Sequence, residues 1–225
     1  MGYGRISGVY AFYQLFLMPF FLSILAIIFA VTVHEYCHAW MANILGDPTG
    51  RYLGRLTLNP LAHFDIFGTL ALILIGFGWG KPVPFNPANL RNPKRDAALI
   101  SLAGPAANIL TALVLAIPLK YLADTEFAAT IFFQFMKVLF WFSVLLFSLN
   151  VLPLPPLDGS KVIGLIIPRR WNLIYQEYLT YGVKYVIFFM LFDVIFLSRA
   201  FDFSFLHYVV VGMTEWIAAL ISLGT

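Results

Sequence analysis

Residues 15–38 read LFLMPFFLSILAIIFAVTVHEYCH. From Leu15 to Val33 there is no charge, and the run then passes directly into three ionisable side chains, His34, Glu35 and His38. At about 1.5 Å rise per residue an apolar helix of this length covers the roughly 30 Å of a bilayer's hydrocarbon core. The chain is therefore expected to enter lipid on its first helix, over about Ala11 to Ile44. Turn-forming residues stop it at Gly46-Asp47-Pro48-Thr49-Gly50. The run is too long for a signal-peptide core and leads into the ionisable cluster, so it is expected to be retained.

The remainder of the chain has the same character. Of 225 residues 61% are hydrophobic and 11% charged, whereas a soluble domain carries about a quarter charged residues to cover its surface. Further apolar stretches lie at 61–79, 97–118, 128–150, 180–198 and 204–222. Regular alternation of short apolar and polar segments is absent, which speaks against an outer-membrane barrel. The expected fold is an all-α polytopic membrane protein in one domain, 1–225, with a core over about 11–167 and C-terminal helices over about 171–225. Leu53 to Leu58 is a candidate short strand, a β element beside the ionisable cluster. The net charge of +3, from 14 basic and 11 acidic side chains, is too small and scattered for nucleic acid, and the bilayer is the partner implied. Cys37 is the only cysteine, so no intrachain disulfide forms.

His34-Glu35-Tyr36-Cys37-His38 puts two imidazoles four residues apart on one helical face, the spacing that holds a zinc ion between them. Glu35 lies beside them without competing for the metal and is placed to accept a proton from water. Ionisable groups in a membrane bundle are costly and mark function by default. A hydrolytic zinc site needs a third protein ligand, and His63, Asp65, Asp158 and His207 are the candidates. Asp158 is the best of them, since it follows Pro153-Leu154-Pro155-Pro156-Leu157, and irregular backbone at membrane depth survives only where protein or a water-filled cavity lines it. The bland alternative is an Asp that caps a helix. His207 reads as an interfacial or packed histidine, Cys37 as a small apolar filler, and Gly104-Pro105-Ala106-Ala107 as a site of close helix approach with Asn108 donating across it.

With these residues in place the sequence resembles the site-2 proteases, peptidase family M50. The resemblance rests on His34-Glu35-Tyr36-Cys37-His38, Asn59-Pro60-Leu61-Ala62-His63-Phe64-Asp65, Gly104-Pro105-Ala106-Ala107-Asn108 and Asn150-Val151-Leu152-Pro153-Leu154-Pro155-Pro156-Leu157-Asp158-Gly159, in that order. It implies an intramembrane zinc endopeptidase acting on transmembrane proteins or peptides, within or near their membrane segments. It implies one Zn2+ on His34, His38 and Asp158, with Glu35 as catalytic base and Asn150 holding the substrate backbone or the oxyanion. Ile66 departs from the proline common in relatives. The chain resembles a small form, without a PDZ insertion or a regulatory nucleotide-binding domain. His63 and Asp65 are expected to orient a ligand or contact substrate, and Asn108 to support the site. The rivals are a divalent-metal transporter, which should show related halves, and a non-catalytic metal-binding scaffold.

The metal site also constrains topology. His34 and His38 lie near the end of the first span, and Asp158 must reach the same face. If 61–79 crossed fully, the hairpin of 97–118 and 128–150 would deliver Asp158 about 30 Å away. Residues 61–79 are therefore expected to be re-entrant or irregular, which leaves five full spans. Arg51, Arg55, Lys81, Arg91, Lys94, Arg95, Lys161, Arg169 and Arg170 then share one face, opposite Lys120, Asp124 and Glu126. The positive-inside rule makes that face, and the active site, cytoplasmic, with the cell membrane as the expected location.

Overall fold

Proline has no N–H to give and fits the first turn of a helix, and two of the long helices carry one there. In the computed structural model, which describes residues 17–66, 68 and 80–223, α1 runs Met18–Ile44 with Pro19 in its first turn. It ends where Gly46 takes a φ of +103°. The Gly46 N–H then bonds the Asn43 carbonyl and the Asp47 N–H bonds the Ala42 carbonyl at 2.9 Å, satisfying orphan carbonyls of the last turn. A one-turn helix, α2 (Thr49–Tyr52), follows.

The next long helix, α3 (Pro93–Tyr121), starts on Pro93, and Asp96 accepts from the Asn92 N–H at 2.9 Å. Thr130 caps α4 (Ile131–Asn150) by accepting from the Phe133 N–H. After the proline-rich turn come the short α5 (Gly159–Val162) and then α6 (Asn172–Phe192), which runs through a π segment, Asp193–Leu197, into α7 (Ser198–Phe201). The last helix is α8 (Phe205–Leu223). Its start is tied to the end of α6 by buried Asp193, which accepts from Ser204 Oγ and from the backbone of Phe205 and Leu206.

Five helical stretches among the described residues are long and apolar enough to cross a membrane: Met18–Ile44, Pro93–Tyr121, Ile131–Asn150, Arg169–Phe201 and Phe205–Ser222. Their outward faces carry large apolar side chains, Phe20 57% exposed among them, as suits contact with lipid. Inside, α1, α3 and α4 pack through small residues. Ala26 and Ala30 of α1 meet Leu139 of α4, and Ala112 and Ala116 of α3 meet Phe140 and Val144 of α4 with Ala218 of α8. Without a hydrophobic drive between helices in lipid, such close approach is what holds them together. The chain is an all-α polytopic membrane protein.

The strand expected at Leu53 to Leu58 is not formed. Gly54, with φ of +69°, ends α2 instead: its N–H bonds the Arg51 carbonyl and the Arg55 N–H bonds the Gly50 carbonyl. That cap takes up the residues that would have opened the strand, and 56–58 only bend. The β element lies further on, as an antiparallel bridge between Phe64 and Gly80, with the Lys81 N–H bonded to the His63 carbonyl at 2.9 Å. The two ends of the stretch expected to be re-entrant are thus paired with each other. The course of residues 67 and 69–79 lies outside the described residues.

Candidate metal centre

Two helices and one loop build the site. On α1, His34 and His38 are one turn apart and both buried. Facing them antiparallel, α3 offers the Ile100 carbonyl to His38 Nδ1 at 2.7 Å and Asn108 Oδ1 to His34 Nδ1 at 2.6 Å. The Asn108 amide nitrogen donates in turn to the Ala30 carbonyl, so its oxygen is the atom left for His34. A carbonyl oxygen only accepts, so each Nδ1 carries a proton and each ring directs its Nε2 into the bundle, the atom left to ligate.

Asp158 arrives from the loop after α4. That loop turns back so tightly that a Cβ on Gly159 would lie 2.3 Å from the Val151 carbonyl oxygen and 2.4 Å from that of Leu152, so only glycine fits. From outside, α6 braces it. Tyr178 donates to the Pro153 carbonyl, and Tyr175 donates to the Ser160 carbonyl at 3.0 Å. Asp158 stands at the N-cap position of α5 yet makes no capping bond. Its side chain turns inward instead, and the residue is 8% exposed.

The three side chains converge. His34 Nε2 and His38 Nε2 are 2.9 Å apart, and Asp158 Oδ2 lies 3.1 Å from the first and 3.2 Å from the second. Among the described residues this is the group of His, Cys, Asp and Glu side chains able to hold a metal. Three electron-pair donors at that spacing repel one another unless positive charge lies between them. The separations are close to the edge of a tetrahedron around a zinc ion with bonds of about 2 Å, which is roughly 3.3 Å. The room for an ion is kept by α3: a Cβ on Gly104 would lie 2.5 Å from His38 Nε2 and 2.6 Å from His34 Nε2. Donor set, spacing and void all fit one Zn2+.

Glu35 stands beside this cluster, half-buried, with Oε2 accepting from the Val83 N–H at 3.2 Å. The other residues singled out from the sequence lie as follows. Asn150, the last residue of α4, donates to the Leu146 carbonyl at 3.0 Å. His63 is fully buried, and its Nε2 bonds the Thr57 carbonyl at 2.8 Å. Asp65 accepts from the Gly68 N–H at 2.9 Å. His207 is exposed on α8. The structure therefore brings together His34, His38, Asp158 and Asn108, with Glu35 alongside.

Three features were not visible from sequence. Gly104, which in sequence reads as a helix contact, borders the void between the ligands. Arg55, grouped in sequence with the basic residues of one membrane face, is buried. Asp47, part of a turn-forming stretch, is a buried clamp: it accepts from Thr49 Oγ1, the Asn86 N–H and Asn89 Nδ2, tying the loop that contains Val83 to the end of α1. Burial alone would raise its carboxyl, but those hydrogen bonds hold it below the ordinary range.

Comparison with known proteins agrees with this geometry. The family model described as "Peptidase family M50" matches residues 119–193, the stretch that contains Asp158. The chain is 35% identical over 188 residues to "Putative zinc metalloprotease YwhC" of Bacillus subtilis, covering 81% of this chain and 84% of that one. It is 33% identical over 145 residues to "Putative zinc metalloprotease Rip2" of Mycolicibacterium smegmatis, covering 62% and 55%, and 29% identical over 136 residues to the protein of that name from Mycobacterium tuberculosis, covering 58% and 51%. No solved structure matches.

Proposed function

The chain belongs to the M50 family of zinc metalloproteases, a membrane-embedded zinc-dependent endopeptidase, and from that we propose that it cuts other membrane proteins within or near their transmembrane segments. The observation that carries this is the convergence of His34 Nε2, His38 Nε2 and Asp158 Oδ2 in a buried gap. These three would hold the zinc. Bound there, the ion supplies Lewis acidity, which makes water nucleophilic near neutral pH and polarises the scissile carbonyl.

The chain's own residues do the rest. Asn108 and the Ile100 carbonyl fix the two rings, so that their Nε2 lone pairs stay aimed at one point. Glu35, next to the ligands but turned to the Val83 N–H, takes the proton from the attacking water and passes it to the leaving amine. Asn150, at the end of α4, is assigned to hold the substrate backbone or the developing oxyanion. His63 and Asp65 are assigned to a supporting role around the metal ligands or to contact with substrate. A helical substrate hides its amides, so it must unwind, and the Val83–Asn86 segment is assigned as the edge it pairs with. The catalytic core is assigned to about 11–167 and the C-terminal helices to about 171–225, of which α6 braces the Asp158 loop. Transport is disfavoured, because the ligands gather near one end of α1 and no related halves are visible.

The direct test uses the full chain in proteoliposomes with a reporter transmembrane substrate. Cleavage should stop on chelation and return with one equivalent of zinc. Zinc flux across the vesicle without cleavage would instead favour the transporter.

For orientation, the exposed basic residues Arg51, Lys81, Arg91 and Arg95 share the active face, so it is assigned to the cytoplasmic side of the cell membrane. Single cysteines at positions 92 and 122, at opposite ends of α3, should react with impermeant thiol reagents from opposite sides of the membrane. Labelling of both from one side would sink this topology.

A further inference from the structure

An arginine is almost never fully buried unless it is paired, and Arg55 is 4% exposed. Its partners are carbonyls from two separate segments. Nη1 donates to Ala62, while Nη2 donates to Lys81 and, at 3.0 Å, to Pro82. Ala62 lies just before one end of the Phe64–Gly80 bridge, and Lys81 and Pro82 just after the other. A planar guanidinium with five donors can hold two backbones at once, which a lysine ammonium does less well.

The contact with Pro82 reaches further. The Pro82 carbonyl and the Val83 N–H belong to one peptide group, and that N–H donates to Glu35 Oε2 at 3.2 Å. The order is guanidinium, carbonyl, amide N–H, carboxylate. A donor that draws on the carbonyl polarises the peptide and strengthens the bond its N–H makes. Because positions 82 and 84 are both proline, Val83 has the only N–H in that tripeptide. The charges also interact: burial weakens the hold of Arg55 on its proton, and the negative charge of Glu35 opposes that.

We infer that Arg55 is a positioning residue for Glu35, acting through the Pro82–Val83 peptide group. Glu35 must lie beside the metal without binding it, and its backbone position on α1 leaves a flexible side chain free to swing. The Val83 amide fixes one oxygen, and Arg55 fixes the amide. This rests on the proteolytic reading above.

The test uses the zinc-loaded full chain and the same reporter substrate. Arg55→Gln removes the charge and the fork. Val83→Pro removes the N–H together with the Val83 side chain, so Val83→Ala, which keeps the N–H, is its control. Arg55→Gln and Val83→Pro should each lower kcat about 10- to 100-fold, the order expected for a misplaced catalytic group, with KM and zinc content near those of the wild type. The double variant should be no worse than the more damaging single one, since both cut one line of contacts. Arg55→Lys should recover part of the loss. Hydrogen exchange at the Val83 amide, isolated by its proline neighbours, should accelerate in Arg55→Gln and lie between in Arg55→Lys.

Wild-type kcat in Arg55→Gln would overturn the inference. So would a rise in KM alone, additive losses in the double variant, or a kcat loss matched by lost zinc, since each would make Arg55 a clamp on the loop and nothing more. Failure of the wild type to cleave at all would instead reject proteolysis, and this inference with it.

Discussion

Glu35→Gln should cost roughly 10²- to 10⁴-fold in kcat, the range a general base supplies, while zinc stays bound. The substitution nearly conserves shape. A glutamine carbonyl oxygen can still accept from the Val83 N–H that now meets Glu35 Oε2, so the segment beside the site should hold. The metal should hold too, because His34, His38 and Asp158 converge without Glu35. What is lost is the ability to take a proton from the attacking water and return it to the leaving amine. The loss should therefore fall on kcat, with zinc stoichiometry and substrate binding close to wild type. Elemental analysis of the purified protein and turnover of the reporter substrate check both halves. Undiminished turnover would remove Glu35 from the mechanism, and a parallel loss of zinc would make it a ligand.

The residues most legible in the sequence are those whose meaning is local. His34 and His38 need only helical spacing to share a face. Asp158 is 120 residues beyond His38, yet depth in a bilayer is one coordinate, and counting spans was enough to bring it to the right end of α1. The same counting leads to the expectation that 61–79 leaves and returns on one side; the structure pairs Phe64 with Gly80, and the stretch between lies mostly outside the described residues.

What failed were judgements that depend on who packs against whom. Leu53 to Leu58 has the look of a strand, but Gly54 serves as the cap of α2, and the helix end claims the backbone first. Arg55 by default reads as a solvated cation near a membrane face. What buries it are carbonyls up to 27 positions away, and nothing in the local composition announces them. Gly104 carries a like ambiguity, because a small residue that lets helices approach and one that leaves room for an ion look the same in sequence.

That ambiguity has a test of its own, in Gly104→Ala. Were Gly104 only a helix contact, a methyl there would cost some packing, of order 1–3 kcal/mol for an added methyl in a tight site. Helix propensity would offset part of that, since Ala is favoured over Gly by about 0.5–1 kcal/mol in a helix interior. The metal would stay. In the structure, however, the new carbon would lie 2.5 Å from His38 Nε2 and 2.6 Å from His34 Nε2, so the nitrogens must move. Neither ring is free to rotate away, because each is held on its far side, His38 by the Ile100 carbonyl and His34 by Asn108. The methyl therefore competes for the volume in which the ion would sit, and zinc affinity should fall by about 10- to 100-fold, on the scale seen when support around a metal site is lost. Cleavage should fall with it and recover in part at high zinc. Gly212→Ala in α8 is the matched control: its Cβ would meet nothing within 4 Å, so the same change of residue should leave zinc and turnover intact. If Gly104→Ala keeps one tightly bound zinc and full activity, the glycine is there for the helices alone.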